Sequence, residues 1–312
     1  MDLLLTGASG FVGQALLRSI DMHDDFSCIA VVRKSLCFDT RARIVELSFD
    51  SGSDWSALLF EGQVIIHVAG LAHEKIDGTA PAELQFREYN VDSTLNLARQ
   101  ASAAGVKRFI FISSIGVNGE FTNVSFTEQD KACPNSLYAE SKFQAEEGLR
   151  EIQNHTKMEV VIIRPPLIYG RKAPGSFERL VNLTALGLPL PLSAIANRRS
   201  FICIENLVDF IITCVHHPKA SNELFLIADD EVISTPELIM LIANGLNVSV
   251  SIFWFPKALL SAFGSVLGKR ALIDKLTGSL TIDSSKAKSL LAWTPPISLE
   301  CGIKRSLRPH EN

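Results

Sequence analysis

The chain has no paired-cysteine motif. Its six cysteines, Cys28, Cys37, Cys133, Cys203, Cys214 and Cys301, lie scattered over 312 residues without a C-x-x-C and without clustered histidines. That usage excludes a disulfide scaffold or a zinc module and fits packed thiols in a reducing cytoplasm. His67 and His73 have no acidic or cysteine partner at ligand spacing, so no metal site is expected. An excess of one charge is also lacking. The formal net charge of −4 gives no support to nucleic-acid binding. No uninterrupted apolar run approaches the ~20 residues a spanning helix needs. Residues 248–267 come nearest, but Pro256 and Lys257 break them. Trp254, Phe255 and Lys257 are types that suit an interface, which leaves peripheral membrane contact open there. Repeats and low-complexity tracts are missing too, and the first residues already read as a strand, leaving no room for a signal peptide; a cytoplasmic protein is expected.

What is present is a large core. Hydrophobic residues make up 47% of the chain and charged residues 21%, the balance of a globular protein with one large domain or two interlocked ones. Leu3-Leu4-Leu5 is a short apolar run without polar alternation, the signature of a strand buried on both faces. Gly7, Gly10 and Gly13 follow at three-residue spacing, and Phe11, Val12, Ala15, Leu16 and Leu17 then repeat with a helical period. The reading is strand, tight turn, helix. Gly7 allows the turn, Gly10 a close approach of the backbone to a pyrophosphate, and Gly13 close packing of helix on strand. The helix N-terminus faces the diphosphate with free N–H groups. Dinucleotide binding follows.

Further strands are expected at Cys28 to Val32, Arg43 to Leu47, Val64 to Val68, Arg108 to Ile112, Val160 to Ile163 and Glu223 to Ile227. Helices are expected at Asp54 to Leu59, from Pro81 to about Ala104 with Gly105 as the stop, and from about Ser136 to His155. His216-His217 before Pro218 reads as dipole compensation at a helix end. The alternation predicts an α/β fold, a Rossmann-type doubly wound parallel sheet with a smaller mixed C-terminal substrate domain. The cofactor domain is expected over 1–170 with a return segment at about 200–228, and the substrate domain over 171–199 and 229–312.

Chemistry is concentrated in Tyr138-Ala-Glu-Ser-Lys142, preceded by Ser113-Ser114 at the carboxyl end of a strand, where ligands of doubly wound sheets sit. Tyr138 and Lys142 are four apart and share one helical face. A tyrosine of pKa about 10 is a poor base at neutral pH, and an adjacent ammonium together with a positively charged nicotinamide lowers it toward use. Ser114 can hold the substrate oxygen against the phenol.

Thr6-Gly-Ala-Ser-Gly-Phe-Val-Gly13, His67-Val-Ala-Gly70, Asn90-Val-Asp-Ser-Thr94, Ser113-Ser114 and Tyr138-x-x-x-Lys142 together resemble the extended short-chain dehydrogenase/reductases, specifically the nucleotide-sugar epimerase/dehydratase family. Arg164-Pro-Pro-Leu-Ile-Tyr-Gly170 and the stretch from Arg199 to Asp209 extend the resemblance over nearly the whole chain. The resemblance implies that Gly7, Gly10, Phe11, Val12 and Gly13 line the pyrophosphate, that Val68, Ala69 and Gly70 lie beside the cofactor ribose, and that Asn90 steadies the segment before the long helix. By the same match Ser113, Tyr138, Lys142 and Pro165 surround the nicotinamide ribose, Ser114, Tyr138 and Lys142 are catalytic, and Ser114, Asn118 and Arg199 meet the substrate. Arg199 falls on the arginine that clamps a diphosphate, a task suited to a bidentate guanidinium.

Departures from the family pattern carry information. Where NAD enzymes of this type carry an acid, about twenty residues past the last glycine, this chain has Arg33, which tilts the cofactor from NAD toward NADP. Ser48-Phe-Asp50 leaves the counterpart of an adenine-facing Asp unsettled, and Asn118 stands where epimerases often have tyrosine. The implied activity is a 4-epimerase or 4-keto-sugar reductase on a UDP-sugar, an N-acetylated hexose of bacterial surface polysaccharide synthesis, with homodimerisation through the long helices. Competing readings are a reductase of a non-sugar carbonyl compound, against which Arg199 argues, and a dinucleotide sensor without turnover, against which the intact Ser114, Tyr138 and Lys142 argue. A dehydratase would want acids beside the serine pair, and Ile115-Gly116 supplies none.

Overall fold

A computed structural model of the chain describes residues 1–34, 39–72, 81–266, 268 and 270–308. Strand and helix alternate through the first half: β1 (Asp2–Thr6), α1 (Phe11–Asp21), β2 (Ser27–Val32), β3 (Arg43–Glu46), β4 (Val64–His67), α2 (Ala82–Phe86), α3 (Ser93–Ala103), β5 (Arg108–Ile112), α4 (Leu137–His155) and β6 (Glu159–Arg164). Then come β7 (Leu167–Tyr169), α5 (Ser176–Ala185), β8 (Phe201–Cys203), α6 (Ile204–His216), β9 (Leu224–Leu226) and α7 (Thr235–Leu246). Helices α8 (Lys257–Val266), α9 (Arg270–Thr277), α10 (Ser285–Leu291) and α11 (Leu299–Leu307) complete the described residues. Seven strands form one parallel sheet in the order β3-β2-β1-β4-β5-β6-β9, and β7 pairs with β8 apart from it.

The uninterrupted apolar runs follow from this layering. Leu3 and Leu5 face a core shared with α1 and α6, whereas Leu4 faces one shared with α3 and α4. The same split separates Ile110 from Phe109 and Phe111, and Val161 and Ile163 from Val160 and Ile162. With helices on both sides, neither face of a strand can be polar. A third core gathers Tyr169, Phe177, Phe201, Ile239, Leu299 and Ile303 from β7, α5, β8, α7 and α11.

The chain runs from β1 outward through β2 to β3, then returns to β4 on the other side of β1. This reversal separates the loops leaving β1 and β4, and a crevice opens at the carboxyl end of the sheet between them. Thr6 pairs with His67 at that point.

Two elements differ from the sequence expectation. Asp54 to Leu59 makes a single 3-10 turn, Ser56–Leu58, instead of a helix. Trp55 is fully buried there, its amide donates to Gln100 Oε1 at 2.8 Å, and Leu59 is already extended, so a second turn has no room. The expected long helix begins after Pro81 and stops at Gly105, whose φ is +79°. In its middle, however, Arg87–Asp92 winds as a π turn between α2 and α3, a feature common at functional sites. Among the described residues no helix is long and apolar enough to cross a membrane.

Candidate active site

The glycine turn is built by close contact. Gly7 has φ +72°, and a Cβ on it would lie 2.6 Å from the Ala69 nitrogen. A Cβ on Gly13 would lie 2.1 Å from the Gly7 carbonyl oxygen. Side chains at these positions would drive β1, the loop after β4 and α1 apart. Gly10 caps α1 with no side-chain hydrogen bond, and the first turn of that helix holds no acid, so the amides at Phe11 and Val12 present the positive end of the helix dipole to an anion. The Phe11 side chain packs between the sheet core and the third core.

From this turn the crevice runs toward β2 and β3. Thr6, Gly7, Ser9 and Gly10 line one side, Val31, Val32 and Arg33 the end of β2, and Val68 to Leu71 the exit of β4. Leu47, Phe49 and Tyr89 complete it. Sequence reasoning had not singled out these last three or Ser9. Phe49, rather than Asp50, reaches the crevice, because Asp50 accepts from Gly52 N and Ser53 Oγ at 3.0 Å each and closes its own turn. A backbone-lined anion cradle opening onto an apolar slot with Arg33 at its end fits the pyrophosphate and adenosine of a dinucleotide.

Asn90 sits in the π turn and pins the exit of β4. Its Oδ1 accepts from Leu71 N at 2.6 Å, and its Nδ2 donates to Leu71 O at 3.0 Å and Ser141 Oγ at 2.9 Å. Against the same loop stands Lys142. Its Nζ donates to Ile112 O at 2.9 Å and lies 4.5 Å from the centre of the Phe111 ring. A Cβ on Gly70 would meet both Nζ and Asn90 Oδ1 at 3.2 Å. Helix α4, capped by Ser136, which accepts from Ala139 N, carries Tyr138 one turn earlier on the same face.

Tyr138 is half-buried, its ring 6.4 Å from that of Phe86, with the Ser114 hydroxyl beside its own. Burial pushes its phenol up to about 12, with the Ser114 hydroxyl opposing. Burial likewise pushes the Lys142 ammonium down to about 8, with Glu146 opposing. The lowering expected from the sequence includes the charge of a bound nicotinamide, and these directions are those of the protein alone. In the protein alone burial keeps the phenol protonated, and a positive charge brought into the crevice acts in the opposite direction.

Beneath the pair lies a buried network that sequence reasoning did not assemble. Ser113 Oγ donates to Glu146 Oε1 at 2.5 Å, Arg164 Nε donates to the same oxygen at 2.9 Å, and Arg164 Nη1 donates to Asn118 Oδ1 at 2.8 Å. Ser113 and Asn118 are therefore turned into this network rather than into open space. Pro165, also buried, accepts from Ile115 N at 3.0 Å and fixes the loop that carries Ser114. The legible signal for Glu146 was its place four residues beyond Lys142. Arg199 stands just before β8, with its Nη1 donating to Lys275 O at 2.9 Å and Gly278 O at 3.1 Å at the end of α9. His67 is a core residue: Thr6 Oγ1 and Thr94 Oγ1 lie 2.6 and 3.0 Å from its nitrogens, Phe111 stacks on its ring, and burial holds it well below the usual imidazole range. His73 and Cys37 fall outside the described residues. Among those described, no group of three or more His, Cys, Asp or Glu could hold a metal ion.

A doubly wound sheet with a glycine-turn crevice, with Lys142 against its β4 exit loop and Tyr138 one helical turn away, marks a dinucleotide-dependent enzyme of the extended short-chain dehydrogenase/reductase class. Residues 3–228 match the model of the NAD dependent epimerase/dehydratase family, and the chain belongs to that family. Of the two dinucleotides left open by the sequence, the family's description names NAD. The UDP-glucose 4-epimerase of Vibrio cholerae is 39% identical over 98% of this chain and 94% of its own. An N-acetyl-alpha-D-glucosaminyl-diphospho-ditrans,octacis-undecaprenol 4-epimerase of Escherichia coli O157:H7 is 27% identical over 98% of this chain and 94% of its own. Among solved structures, a UDP-glucuronic acid 4-epimerase of Bacillus cereus in complex with NAD superposes with a TM-score of 0.79, at 20% identity over 98% of this chain and 96% of the other.

Proposed function

We propose that the chain is a UDP-sugar 4-epimerase in which Ser114, Tyr138 and Lys142 handle the proton of the C4 hydroxyl. The convergence of Tyr138, beside Ser114, with Lys142 against the β4 exit loop carries the reading. The Vibrio cholerae relative supports the sugar class and the outcome. Bound NAD supplies a hydride acceptor and donor at C4. Tyr138 removes the hydroxyl proton as C4 is oxidised and returns one as C4 is reduced on its opposite face, while Ser114 holds the same oxygen. Lys142 favours the phenolate by its charge. Residues 1–170, with the return segment at about 200–228, hold the cofactor, and 171–199 with 229–312 hold the sugar nucleotide, Arg199 facing its diphosphate. The Escherichia coli relative supports an N-acetylated hexose and a role in surface polysaccharide synthesis. Homodimerisation through α3 and α4 belongs to the same proposal.

Purified protein given UDP-glucose or UDP-N-acetylglucosamine should yield the C4 epimer with no net consumption of reduced cofactor. Stoichiometric loss of NADPH on a UDP-4-keto sugar, without epimerisation, would select the ketoreductase instead. Tyr138→Phe should lower kcat by ~10²-fold or more while cofactor binding, read by fluorescence titration, stays near that of the wild type. Full turnover by this variant would remove the assigned base.

A further inference from the structure

The hairpin of α8 and α9 carries an apolar surface that the fold leaves open. Trp254 is 69% exposed and Val266 85%, with Leu259 and Phe263 also exposed on α8. Leu259, Phe263 and Val266 are spaced by four and three, which sets them on one helical face. Leu186 and Leu188, both exposed, run beside the chain that leads into this helix, where Leu190 N donates to Ser251 O at 2.8 Å and Phe253 N to Leu190 O at 3.0 Å. Large apolar side chains left exposed on one helical face and on the segments beside it point to an interaction site.

Charge decides what covers it. Across 248–275 the sequence holds Lys257, Lys269, Arg270 and Lys275 against one acid, Asp274, in a chain whose net charge is −4. Arg270 and Asp274 pair loosely at 3.7 Å, and Lys275 reaches Glu120 at 3.4 Å, so the segment stays basic. An amphipathic helix without an acid, flanked by basic residues and by a tryptophan, is complementary to an anionic bilayer surface rather than to an apolar protein groove. The other end of the hairpin reaches the substrate region: Arg199 Nη1 donates to the Lys275 and Gly278 carbonyls.

We infer that the face formed by Trp254, Leu259, Phe263 and Val266 docks on anionic lipid, placing the Arg199 side of the protein near the membrane surface. Membrane docking of this kind suits a sugar diphosphate carried on a lipid. The docking itself is independent of the proposed activity, since vesicle binding is read without substrate or turnover.

The test is flotation of the full-length protein with vesicles of phosphatidylcholine alone or with added phosphatidylglycerol. Trp55 and Trp293 are buried, so a blue shift of tryptophan emission on vesicles reports Trp254. Flotation is expected on the anionic vesicles only, weakened by salt. Trp254→Ser should lower the partition by about tenfold, with an unchanged melting temperature. Lys257→Gln with Arg270→Gln should also lower it and reduce its dependence on salt. No flotation at low salt and no blue shift would overturn the inference. So would a Trp254→Ser variant that turns a wild-type dimer into a monomer while vesicle binding is nil, because the patch would then be covered by a second copy.

Discussion

Burial works against the charge that Lys142 carries. Its ammonium falls from an ordinary 10.5 to about 8 in the folded protein, so the unfolded chain binds more protons between those two values. The buried lysine therefore costs stability below pH 8, and the cost is relieved as pH rises from 8 to 10.5. Tyr138 acts in the opposite sense at higher pH. Its phenol rises from 10.0 to about 12, so its contribution is complete below pH 10 and is lost as pH rises through 12. Lys142→Met removes the first window. The wild type should gain on that variant by on the order of 3 kcal/mol between pH 8 and 10.5, measured by urea unfolding at a series of pH values. A constant difference would mean that Lys142 is not desolvated. At this scale the sequence named the pair and its four-residue spacing, but not how far burial raises the phenol in the protein alone, because desolvation depends on neighbours brought in from other elements.

Helix α4 works as one element because three polar positions recur along one face: Tyr138 beside Ser114, Lys142 against Gly70 and Glu146 in the core. Glu146 is fully buried and pairs with Arg164 at the end of β6, Nη2 to Oε2 at 2.5 Å. Breaking a buried pair on one side leaves an uncompensated charge. Glu146→Gln should cost about 3 kcal/mol in unfolding free energy and push Lys142 further below about 8, since Glu146 is the group that opposes its burial. Adding Arg164→Met should recover part of the stability but not the lysine, a split that calorimetry and NMR titration of the ammonium would show. Neither Glu146 nor Arg164 is polar for solvent's sake. A sequence pattern cannot distinguish such a glutamate from one on a hydrated helix face until the partner strand is placed. The π turn before α3 escaped for a related reason: its residues have ordinary helical character, and the extra residue per turn serves to aim Asn90 at Leu71.

Across the whole molecule the sheet and the C-terminal elements are joined through Asp229. Tyr169 from β7 donates to its Oδ2 at 2.7 Å, Asn206 from α6 donates to Oδ1 at 2.7 Å, and Cys203 N lies 3.1 Å from Oδ2. Gly302 of α11 packs on the Tyr169 hydroxyl so closely that a Cβ would lie 2.6 Å from it. Tyr169→Phe should lower stability by about 1 kcal/mol through loss of one of the donors to a buried carboxylate, with kcat unchanged, as read by thermal unfolding beside an epimerisation assay. A loss of turnover without a loss of stability would place this joint in the reaction.

The sequence by itself determined the parallel sheet, the glycine turn and the Tyr138–Lys142 helix, because runs of two-sided strands, glycine spacing and helical period are local properties of the chain. The tertiary structure alone decided that Phe49 and not Asp50 faces the crevice, that Ser113 and Asn118 turn inward to Glu146 and Arg164, and that Arg199 rests on the carbonyls at the end of α9. The turn of Ser113 and Asn118 and the place of Arg199 depend on which polar group finds a partner after distant segments meet. A buried hydrogen bond is satisfied by proximity in space, which residue order does not encode locally.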